Sequence, residues 1–264
     1  MSVAIRQVGV LRSSGDAARD HVAVELPLEV RLNGHSFAVI MRTPGADAEL
    51  ALGFLFSEGV VRRRDDVARL AVEEEGQFAD VRLARGRQDA AAAALAGRRE
   101  VAMNSSCGLC GRRALESLDV DAPPCRVQWS ISQETISRLP GLLRSAQSAF
   151  AETGGLHAAG LFDLEGRLVA AAEDVGRHNA VDKLLGRMLD AGRLPLDRLL
   201  LLVSGRSSFE IVQKAWLAGV PFVAAVSAPS SLAVDLAQKA GITLLGFVRE
   251  GRFNVYAHAD RVVL

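Results

Sequence analysis

Cysteine is scarce in this chain: its 264 residues include three, at positions 107, 110 and 125. An odd number of thiols, two of them close together in a polar stretch, does not suit a disulfide-stabilised scaffold and fits a protein of a reducing compartment. Lysine is also scarce, with three among 31 basic residues. We attribute this second bias to the base composition of the genome and infer no function from it.

Net charge and long apolar runs are lacking as well. The 31 basic and 31 acidic residues give a formal net charge of zero, and neither half concentrates one sign, which argues against a general nucleic-acid surface. No apolar run approaches the roughly 20 residues of a membrane span, and the N-terminus lacks the charged segment and apolar core of a signal peptide. We therefore expect a cytoplasmic protein with neither a nucleic-acid nor a membrane partner.

A Cys-x-x-Cys pair is the chemical feature around which the rest of the chain can be interpreted. Cys107 and Cys110 lie in the stretch Asn-Ser-Ser-Cys-Gly-Leu-Cys-Gly-Arg-Arg, residues 104–113. The spacing lets both sulfurs face one reactant, and the glycines permit a tight turn. Arg112 and Arg113 bring positive charge, which raises the thiolate fraction of a nearby cysteine. The pattern predicts a nucleophilic thiol.

Three functions fit such a pair: a metal half-site, a dithiol redox centre, or a carrier that holds sulfur as a persulfide. A structural zinc site needs four ligands as a rule, and Cys125 is the one thiol left, so zinc would require a dimer that pools ligands. A thioredoxin-type pair opens a helix after the first strand of a βαβ unit, whereas more than 100 residues precede Cys107. Cys125 itself is expected to be a small buried residue.

Residues 1–124 are predicted to form a small N-terminal α/β domain that carries the thiol stretch and ends at Pro123-Pro124. After a polar, mobile start to about residue 20, alternating strands meet at Asn33-Gly34, which is a strong hairpin signal. A helix follows from Asp47, its expected cap, to Phe56. The further predicted elements are strands at 67–72 and 78–83, an alanine-rich helix at 88–97, a strand at 100–103 and a short helix at 112–118.

Residues 125–264 are predicted to form a three-layer α/β domain. One helix at 132–151, kinked at Pro140, precedes a hairpin that turns at Gly166. Helices and strands then alternate, with helices at 179–189, 208–218 and 231–240 and strands at 199–203, 222–226 and 242–247. The strand at 199–203 is apolar on both faces, which is typical of a helix-covered sheet.

Three polar loops precede the helices of this second half, at 176–179, 204–208 and 227–231. In such sheets ligands bind beyond the carboxyl ends of the strands, at the N-termini of the helices that follow. Two of the loops also have the spacing of a capping box, Asn179 with Asp182 and Ser207 with Glu210. We expect helix capping at these positions, and anion binding is open in addition.

The order of elements resembles the cytidine-deaminase fold, in which a histidine near the start of the second helix and a Cys-x-x-Cys at the start of the third bind zinc. His178 occupies the first position, but residues 205–208 are Gly-Arg-Ser-Ser, and Ala180 stands where the catalytic glutamate belongs. We therefore expect a cytidine-deaminase-like domain without the zinc site, whose pocket still suits a nucleotide.

Four segments together carry a more specific resemblance. They are Ser-Ser-Cys-Gly-Leu-Cys-Gly at 105–111, Thr-Gly-Gly-Leu-His at 153–157, Glu-Asp-Val-Gly-Arg-His-Asn-Ala-Val-Asp-Lys at 173–183 and Ser-Gly-Arg at 204–206. From about residue 42 onwards the chain resembles the FdhD/NarQ family of formate dehydrogenase accessory sulfurtransferases. The resemblance implies a cytoplasmic homodimer that carries sulfur from a cysteine desulfurase to a bound substrate, the molybdenum bis(molybdopterin guanine dinucleotide) cofactor, which is destined for formate dehydrogenase. A guanine nucleotide such as GDP would mimic that cofactor.

The resemblance also assigns residues. Cys107 matches the persulfide-forming cysteine, with Cys110 as its partner. The cofactor-binding stretch matches Phe247-Val248-Arg249-Glu250-Gly251-Arg252, where two arginines around a glycine turn suit phosphates. Further candidate cofactor contacts are His178, Arg206 and Ser207.

Two alternative functions stay open: a dithiol oxidoreductase, and a guanine-nucleotide or cofactor-binding chaperone without sulfur chemistry. In the sulfur-carrier interpretation, the thiol stretch has to reach the cofactor stretch within one chain or across a dimer.

Overall fold

The computed structural model describes residues 3–73, 77–87 and 122–264. In the first half the elements are β1 (Ile5–Leu11), β2 (Ala17–Ala23), β3 (Leu26–Leu32), β4 (His35–Arg42), α1 (Asp47–Ser57), β5 (Val67–Glu73) and β6 (Phe78–Leu83). The second half begins with β7 (Ile131–Ser132), α2 (Gln133–Ser145), α3 (Ser148–Thr153), β8 (His157–Phe162), β9 (Leu168–Asp174) and α4 (Arg177–Asp190). It continues with β10 (Leu200–Val203), α5 (Phe209–Leu217), β11 (Phe222–Ala225), α6 (Ser231–Ala240), β12 (Thr243–Arg249), β13 (Arg252–Ala257) and β14 (Val262–Val263).

The first half contains a four-stranded sheet in the order β4-β3-β6-β5. Alternate residues of β3 are buried, namely Leu28, Val30 and Leu32, as expected for a strand with one face on the core. The predicted hairpin is confirmed: Asn33 and Gly34 both have positive φ, 53° and 84°, and join β3 to β4. The predicted elements at 88–97, 100–103 and 112–118 lie outside the described residues.

Where the sequence predicts a polar, mobile start to about residue 20, the structure has two paired strands. Strands β1 and β2 pair antiparallel from Ile5↔Ala23 to Leu11↔Ala17. This hairpin lies against α3, where His21 Nδ1 is 3.7 Å from a carboxylate oxygen of Glu152. The pattern was misleading because a ribbon exposed on much of its surface has no apolar stripe to reveal it.

The second half is built on a six-stranded sheet in the order β13-β12-β11-β10-β8-β9, with β10, β11 and β12 parallel. Alternate residues of β10 face opposite sides: Leu201 and Val203 pack in the core that includes α4, α5 and α6. Leu200 and Leu202 pack against α2 on the other side. The sheet therefore lies between helical layers, and the predicted α/β class is confirmed.

The predicted helix at 132–151 is two helices. Pro140 lies inside α2, which ends at Ser145, and α3 begins at Ser148. The backbone amides of Ala149 and Phe150, at the start of α3, donate to the carboxylate of Glu173, over 3.1 and 2.8 Å. These hydrogen bonds to β9 fix the direction of α3. Glu173 lies outside the segment 132–151, so no pattern within that segment predicts the break.

One buried core joins the two halves. Residues of the first sheet, of α1, of α4 and of the second sheet belong to a single apolar cluster. Helices α1 and α4 cross at two glycines: a methyl group on Gly53 would overlap the carbonyl oxygen of Asp182, and one on Gly186 would overlap that of Glu49. The predicted domain division at residue 124/125 stays a prediction.

Candidate functional site

The side chains of residues 173–183, one of the four segments that carry the family resemblance, have two roles. The first is to bind the chain at the end of β4. Asp174 accepts from the backbone amide of Thr43 at 3.1 Å. The side-chain amide of Asn179 donates to the carbonyl of Met41 and to Asp174, each over 2.8 Å. Lys183 Nζ donates to the carbonyl of Thr43 at 2.9 Å and lies 2.8 Å from the carboxylate of Asp174. These polar residues therefore hold the two halves of the chain together.

A second buried ion pair closes the same contact. Arg42 donates two parallel hydrogen bonds to Asp47, over 2.9 and 2.7 Å, and both side chains are buried. Asp47 was predicted to be the cap of α1, and that prediction is wrong: Ala46 precedes the helix with φ 56° and makes no side-chain cap bond. Because the carboxylate of Asp47 is bound by Arg42, this carboxylate does not cap the amides of the helix.

The second role of residues 173–183 is a contact between His178 and the start of α5. His178 Nε2 lies 3.1 Å from Ser208 Oγ, at the start of α5, and 3.8 Å from a carboxylate oxygen of Glu210. The loops at 176–179 and 204–208, each predicted to precede a helix, therefore meet at this contact. The contact follows from the topology: β9 and β10 run in the same direction, so the polar loops after them lie at the same end of the sheet.

His178 is neutral in this setting. Burial, followed by the positive charges of Lys214 and Arg177, lowers its pKa to about 3. Burial pushes the pKa of Glu210 upward, but a hydrogen bond from Ser208 and one from the backbone amide of Glu210 outweigh it, and the net shift is downward. The pair is consequently a neutral imidazole beside a carboxylate, bridged by a hydroxyl, and not an ion pair.

His157, from the Thr-Gly-Gly-Leu-His segment, belongs to the same cluster. A methyl group on Gly205 would lie 3.5 Å from both His157 Nδ1 and Arg177 Cδ, so the loop before α5 runs directly past these two side chains. Burial and the charge of Arg177 lower the pKa of His157. The positive charge of Arg177 acts on both histidines.

The capping boxes predicted for Asn179 and Ser207 are not formed. Asn179 is directed to Met41 and Asp174, as described, and the residue that precedes α5 is Ser208, without a side-chain cap bond. Ser207 is fully buried, and within the described ranges its hydroxyl has no hydrogen-bond partner. Its carbonyl accepts from the amide of Ser230 at 3.0 Å, which joins this loop to the next one. Arg206 is exposed.

The predicted cofactor stretch differs from expectation in its local form. Strand β12 does not end at Phe247 but continues to Arg249, with an irregularity between Gly246 and Arg249. Phe247 has φ 54° and is 41% exposed, and its amide donates to the carbonyl of Ser227 at 3.1 Å. A bulky residue with left-handed backbone is unusual and marks a constrained position.

The rest of this stretch forms a tight turn between β12 and β13. Gly251 has φ 75°, and Arg249, Glu250 and Arg252 are exposed. Val248 is fully buried in the core beneath α2, so it is not available to a ligand. The exposed arginines and Phe247 are the groups that could hold a ligand.

Cys107 and Cys110, with Arg112 and Arg113, lie outside the described residues. Cys125 was predicted to be a small buried residue, and it is partly buried. It packs against the core, and its backbone amide donates to the carbonyl of Ala240 at 2.7 Å. Burial raises the pKa of its thiol to about 11, against a smaller opposing effect of Arg261. Cys125 is therefore protonated near neutral pH and a poor nucleophile.

The described residues, 3–73, 77–87 and 122–264, show neither a metal cluster nor a membrane-spanning helix. No three His, Cys, Asp or Glu side chains in those ranges converge as a metal site would require. Among the helices described, none is long and apolar enough to cross a membrane.

Fold and site together define a class: an α/β protein in which the polar loops before α4 and α5 meet at one end of a six-stranded sheet. A profile of the FdhD/NarQ family matches residues 23–263. The chain is 48% identical to the "Sulfur carrier protein FdhD" of Streptomyces avermitilis, over 98% of this chain and 95% of that protein. It is 44% identical to the protein of the same name from Sulfurisphaera tokodaii, over the full length of both.

A solved structure agrees with these sequence relatives. The crystal structure of a protein assigned as a formate dehydrogenase accessory protein from Desulfotalea psychrophila superposes with a TM-score of 0.77 and 25% identity, over 98% of each chain. The present chain belongs to the FdhD/NarQ family.

Proposed function

We propose that this protein is a sulfurtransferase that carries sulfur to the molybdenum bis(molybdopterin guanine dinucleotide) cofactor before that cofactor enters formate dehydrogenase. The observation that carries the proposal is near-full-length similarity to relatives named sulfur carrier proteins, in a chain whose one Cys-x-x-Cys pair is Cys107 and Cys110. The partners are a cysteine desulfurase as donor and formate dehydrogenase as recipient, and the working form is a cytoplasmic homodimer.

The loading step is a thiol–persulfide exchange. The thiolate of Cys107 attacks the outer sulfur of the persulfide on the desulfurase, a new S–S bond forms on Cys107, and the desulfurase cysteine leaves as a thiolate. Cys110 is close enough in sequence to shield the new persulfide or to take over its sulfur. In the transfer step the S–S bond on Cys107 would break, with the Cys107 thiolate as the leaving group. The outer sulfur would go to the molybdenum of the substrate, which would supply the two electrons that bring this sulfur to the sulfide level.

The properties of Cys125 support this assignment by contrast. A thiol acts in exchange as its thiolate, and burial holds Cys125 in the protonated form. The other two thiols of the chain are the Cys-x-x-Cys pair. Two arginines follow this pair in sequence, and their positive charge favours the thiolate that exchange requires.

The surface around residues 247–252 supports binding of a nucleotide-like substrate. Phe247 offers an exposed aromatic ring, and its backbone is tied to Ser227 in the loop before α6. Arg249 and Arg252 lie at the turn beyond it, where guanidinium groups bind phosphate by paired hydrogen bonds. The loop with Arg206 and Ser207 is joined to the loop before α6 by the hydrogen bond between Ser230 and Ser207. These segments therefore form one polar surface at the carboxyl ends of the strands, and His178 lies behind it.

The experiment that tests the proposal is direct loading. The purified protein is incubated with a cysteine desulfurase and free cysteine, and the peptide that contains residues 107 and 110 is weighed by mass spectrometry. We expect the added mass of one sulfur atom on Cys107, removed by a reductant. A wild-type peptide that never gains sulfur would contradict the carrier function and favour the oxidoreductase or chaperone.

Replacement of Arg252 with alanine is expected to weaken GDP binding by about 1.5–3 kcal/mol, the usual contribution of a hydrogen bond to a charged group. Sulfur loading of Cys107 should not change, because the carrier and cofactor sites are separate. Titration calorimetry with GDP measures the affinity. Arg167→Ala is the matched control: Arg167 is also an exposed arginine near a hairpin turn, but at the opposite edge of the same sheet. Equal loss in both variants would refute a specific contact.

Phe247→Ala is expected to lower GDP affinity several-fold without lowering stability. The ring is partly exposed, so little core packing is lost, and base–aromatic stacking contributes roughly 1–3 kcal/mol. Phe247→Gly relieves the left-handed backbone and should be at least as stable as the alanine variant. Calorimetry and thermal unfolding of the two variants separate binding from stability. Unchanged affinity in both would remove Phe247 from the site.

A further inference from the structure

A groove lies between α2 and the turn that joins β12 to β13, and we call it the α2 groove. Its volume is about 880 Å³, within the range of roughly 300–1,000 Å³ that is usual for small-molecule sites. Its walls include Glu134, Arg138 and Leu142 of α2, Glu250 and Gly251 of the turn, and Val263 of β14. Helix α2 packs on the sheet with a different face, through Ile136, Leu139 and Leu143, so its groove side is open to a ligand.

The protein itself does not use the polar groups of the α2 groove. Glu134 and Arg138 are four residues apart with the acid first, an arrangement that favours an ion pair on a helix. Within the part of the chain that the structure describes, however, neither of them nor Glu250 forms an ion pair or a hydrogen bond. The wall of the groove also holds the hydroxyl oxygen of Ser137, which is buried and has no partner among the described residues. Buried hydroxyls are rarely unpaired, so this oxygen is a further contact for a ligand.

Two carboxylates and a guanidinium match one kind of ring edge. A carboxylate offers acceptors alone, and a guanidinium offers donors alone. An aminopyrimidinone ring presents a ring N–H and an amino group side by side, which carboxylate oxygens can accept, and beside them a carbonyl to which a guanidinium can donate. Guanine and pterin both have this edge. Adenine has a ring nitrogen with a lone pair in place of the N–H, and a carboxylate would repel it.

The position of the α2 groove favours the pterin as its occupant. Arg249 and Arg252 pair directly across the β12–β13 hairpin, so their like charges project on one face, where an anion would stabilise them. Of the described residues in this stretch, Glu250 and Gly251 line the groove. The two arginines do not, and neither does Phe247, which is proposed to stack on guanine. In the proposed substrate a pyrophosphate joins guanosine to the pterin, so the arm left for the groove is the pterin.

We propose that the α2 groove binds the aminopyrimidinone edge of the pterin arm, with Glu134 and Glu250 as acceptors for its N–H and amino groups and Arg138 as donor to its carbonyl. Leu142 and Val263 supply apolar surface against which a flat ring packs. The presence of a pterin rests on the proposed function, whereas the recognition of the ring edge is a property of the groove. Guanine is the second source of the same edge, and the test separates the two.

The test is calorimetric titration of the wild type and of the double variant Glu134→Gln/Glu250→Gln with hydroxymethylpterin and, separately, with GDP. Both glutamates are exposed, so the variant should fold, which thermal unfolding checks. We expect its pterin affinity to fall about 10-fold or more, as for lost hydrogen bonds to a charged group, and its GDP affinity to stay nearly unchanged. Glu165→Gln is the control, because Glu165 is an exposed glutamate in the β8–β9 turn, and it should bind both ligands like the wild type.

Methyl NMR locates the ligand independently of affinity. Addition of hydroxymethylpterin should shift the methyl signals of Leu142, which lines the groove, and not those of Leu232, an exposed leucine of α6. A double variant that lost GDP affinity and kept pterin affinity would overturn the pterin assignment and give the groove to guanine. Unchanged affinity for both ligands, or a wild type that binds no pterin, would overturn the proposal altogether. The proposed function is judged separately, by sulfur loading of Cys107 and by the effect of Arg252→Ala on GDP.

Discussion

Replacement of Cys107 with serine is expected to abolish sulfur loading and to reduce activation of formate dehydrogenase to the level seen without this protein. A hydroxyl cannot form the S–S bond on which transfer depends, and serine is far less nucleophilic than a thiolate at neutral pH. Loading is measured by the mass of the thiol peptide after incubation with a desulfurase. Activation is measured as formate oxidation in cells or extracts that depend on the added protein.

Cys125→Ser is the matched control for this prediction. The substitution is chemically identical, but it falls on a thiol whose pKa is raised to about 11 by burial. We expect loading and activation close to wild type, with at most a small loss of stability. Loss of loading in Cys125→Ser alone would make Cys125 the carrier, and loss in both variants would indicate that folding had failed.

Cys110→Ser separates the carrier from a dithiol oxidoreductase. An oxidoreductase needs a disulfide between Cys107 and Cys110, so either substitution would remove all activity. A carrier needs one persulfide cysteine, so Cys110→Ser should still acquire sulfur on Cys107 and differ from Cys107→Ser in the transfer step. If both serine variants activated formate dehydrogenase, the binding-only chaperone would be the better description.

Local signals predicted much of this fold. The Asn33-Gly34 turn and the helix at Ser231–Ala240 are found where the sequence placed them, because turn chemistry and helix boundaries depend on neighbours in the chain. The same holds for strand β10: its residues are all apolar, which predicts a strand buried on both faces. The rule that ligands bind at the carboxyl ends of parallel strands directed attention to the polar loops, but the contact of His178 with Ser208 was not predicted.

Contacts between distant residues account for what the sequence could not show. Asp47 and Asn179 have the residue types and spacing of helix caps, yet Asp47 pairs with Arg42, and Asn179 reaches Met41, 138 positions away. The break after α2 depends on Glu173, which binds the first amides of α3. Val248 belongs to the matched cofactor stretch, but its side chain lies in the core. In each case a partner from another element decided between two uses of the same side chain.

The crossing of α1 and α4 carries the second large expected effect. At Gly186 an added methyl group would overlap the carbonyl oxygen of Glu49 and come within 2.8 Å of the amide nitrogen of Gly53. Both obstacles are backbone atoms of a buried helix, so neither can turn aside as a flexible side chain could. The two helices would have to separate, and the ties from Asp174 and Lys183 to Thr43 would be strained with them.

Gly186→Ala is therefore expected to lower the free energy of unfolding by about 3 kcal/mol or more, at the upper end of the cost of overpacking a core. That is a large part of the roughly 5–15 kcal/mol of a typical protein, and the midpoint of thermal unfolding should fall by about 6–12 °C. Gly141→Ala is the control, because Gly141 is also helical but nothing lies within 4 Å of an added methyl group. Since alanine is the better helix former, that variant should be stabilised by about 0.5–1 kcal/mol. Urea unfolding measures both, and a Gly186→Ala protein as stable as wild type would show that the helices do not cross this closely.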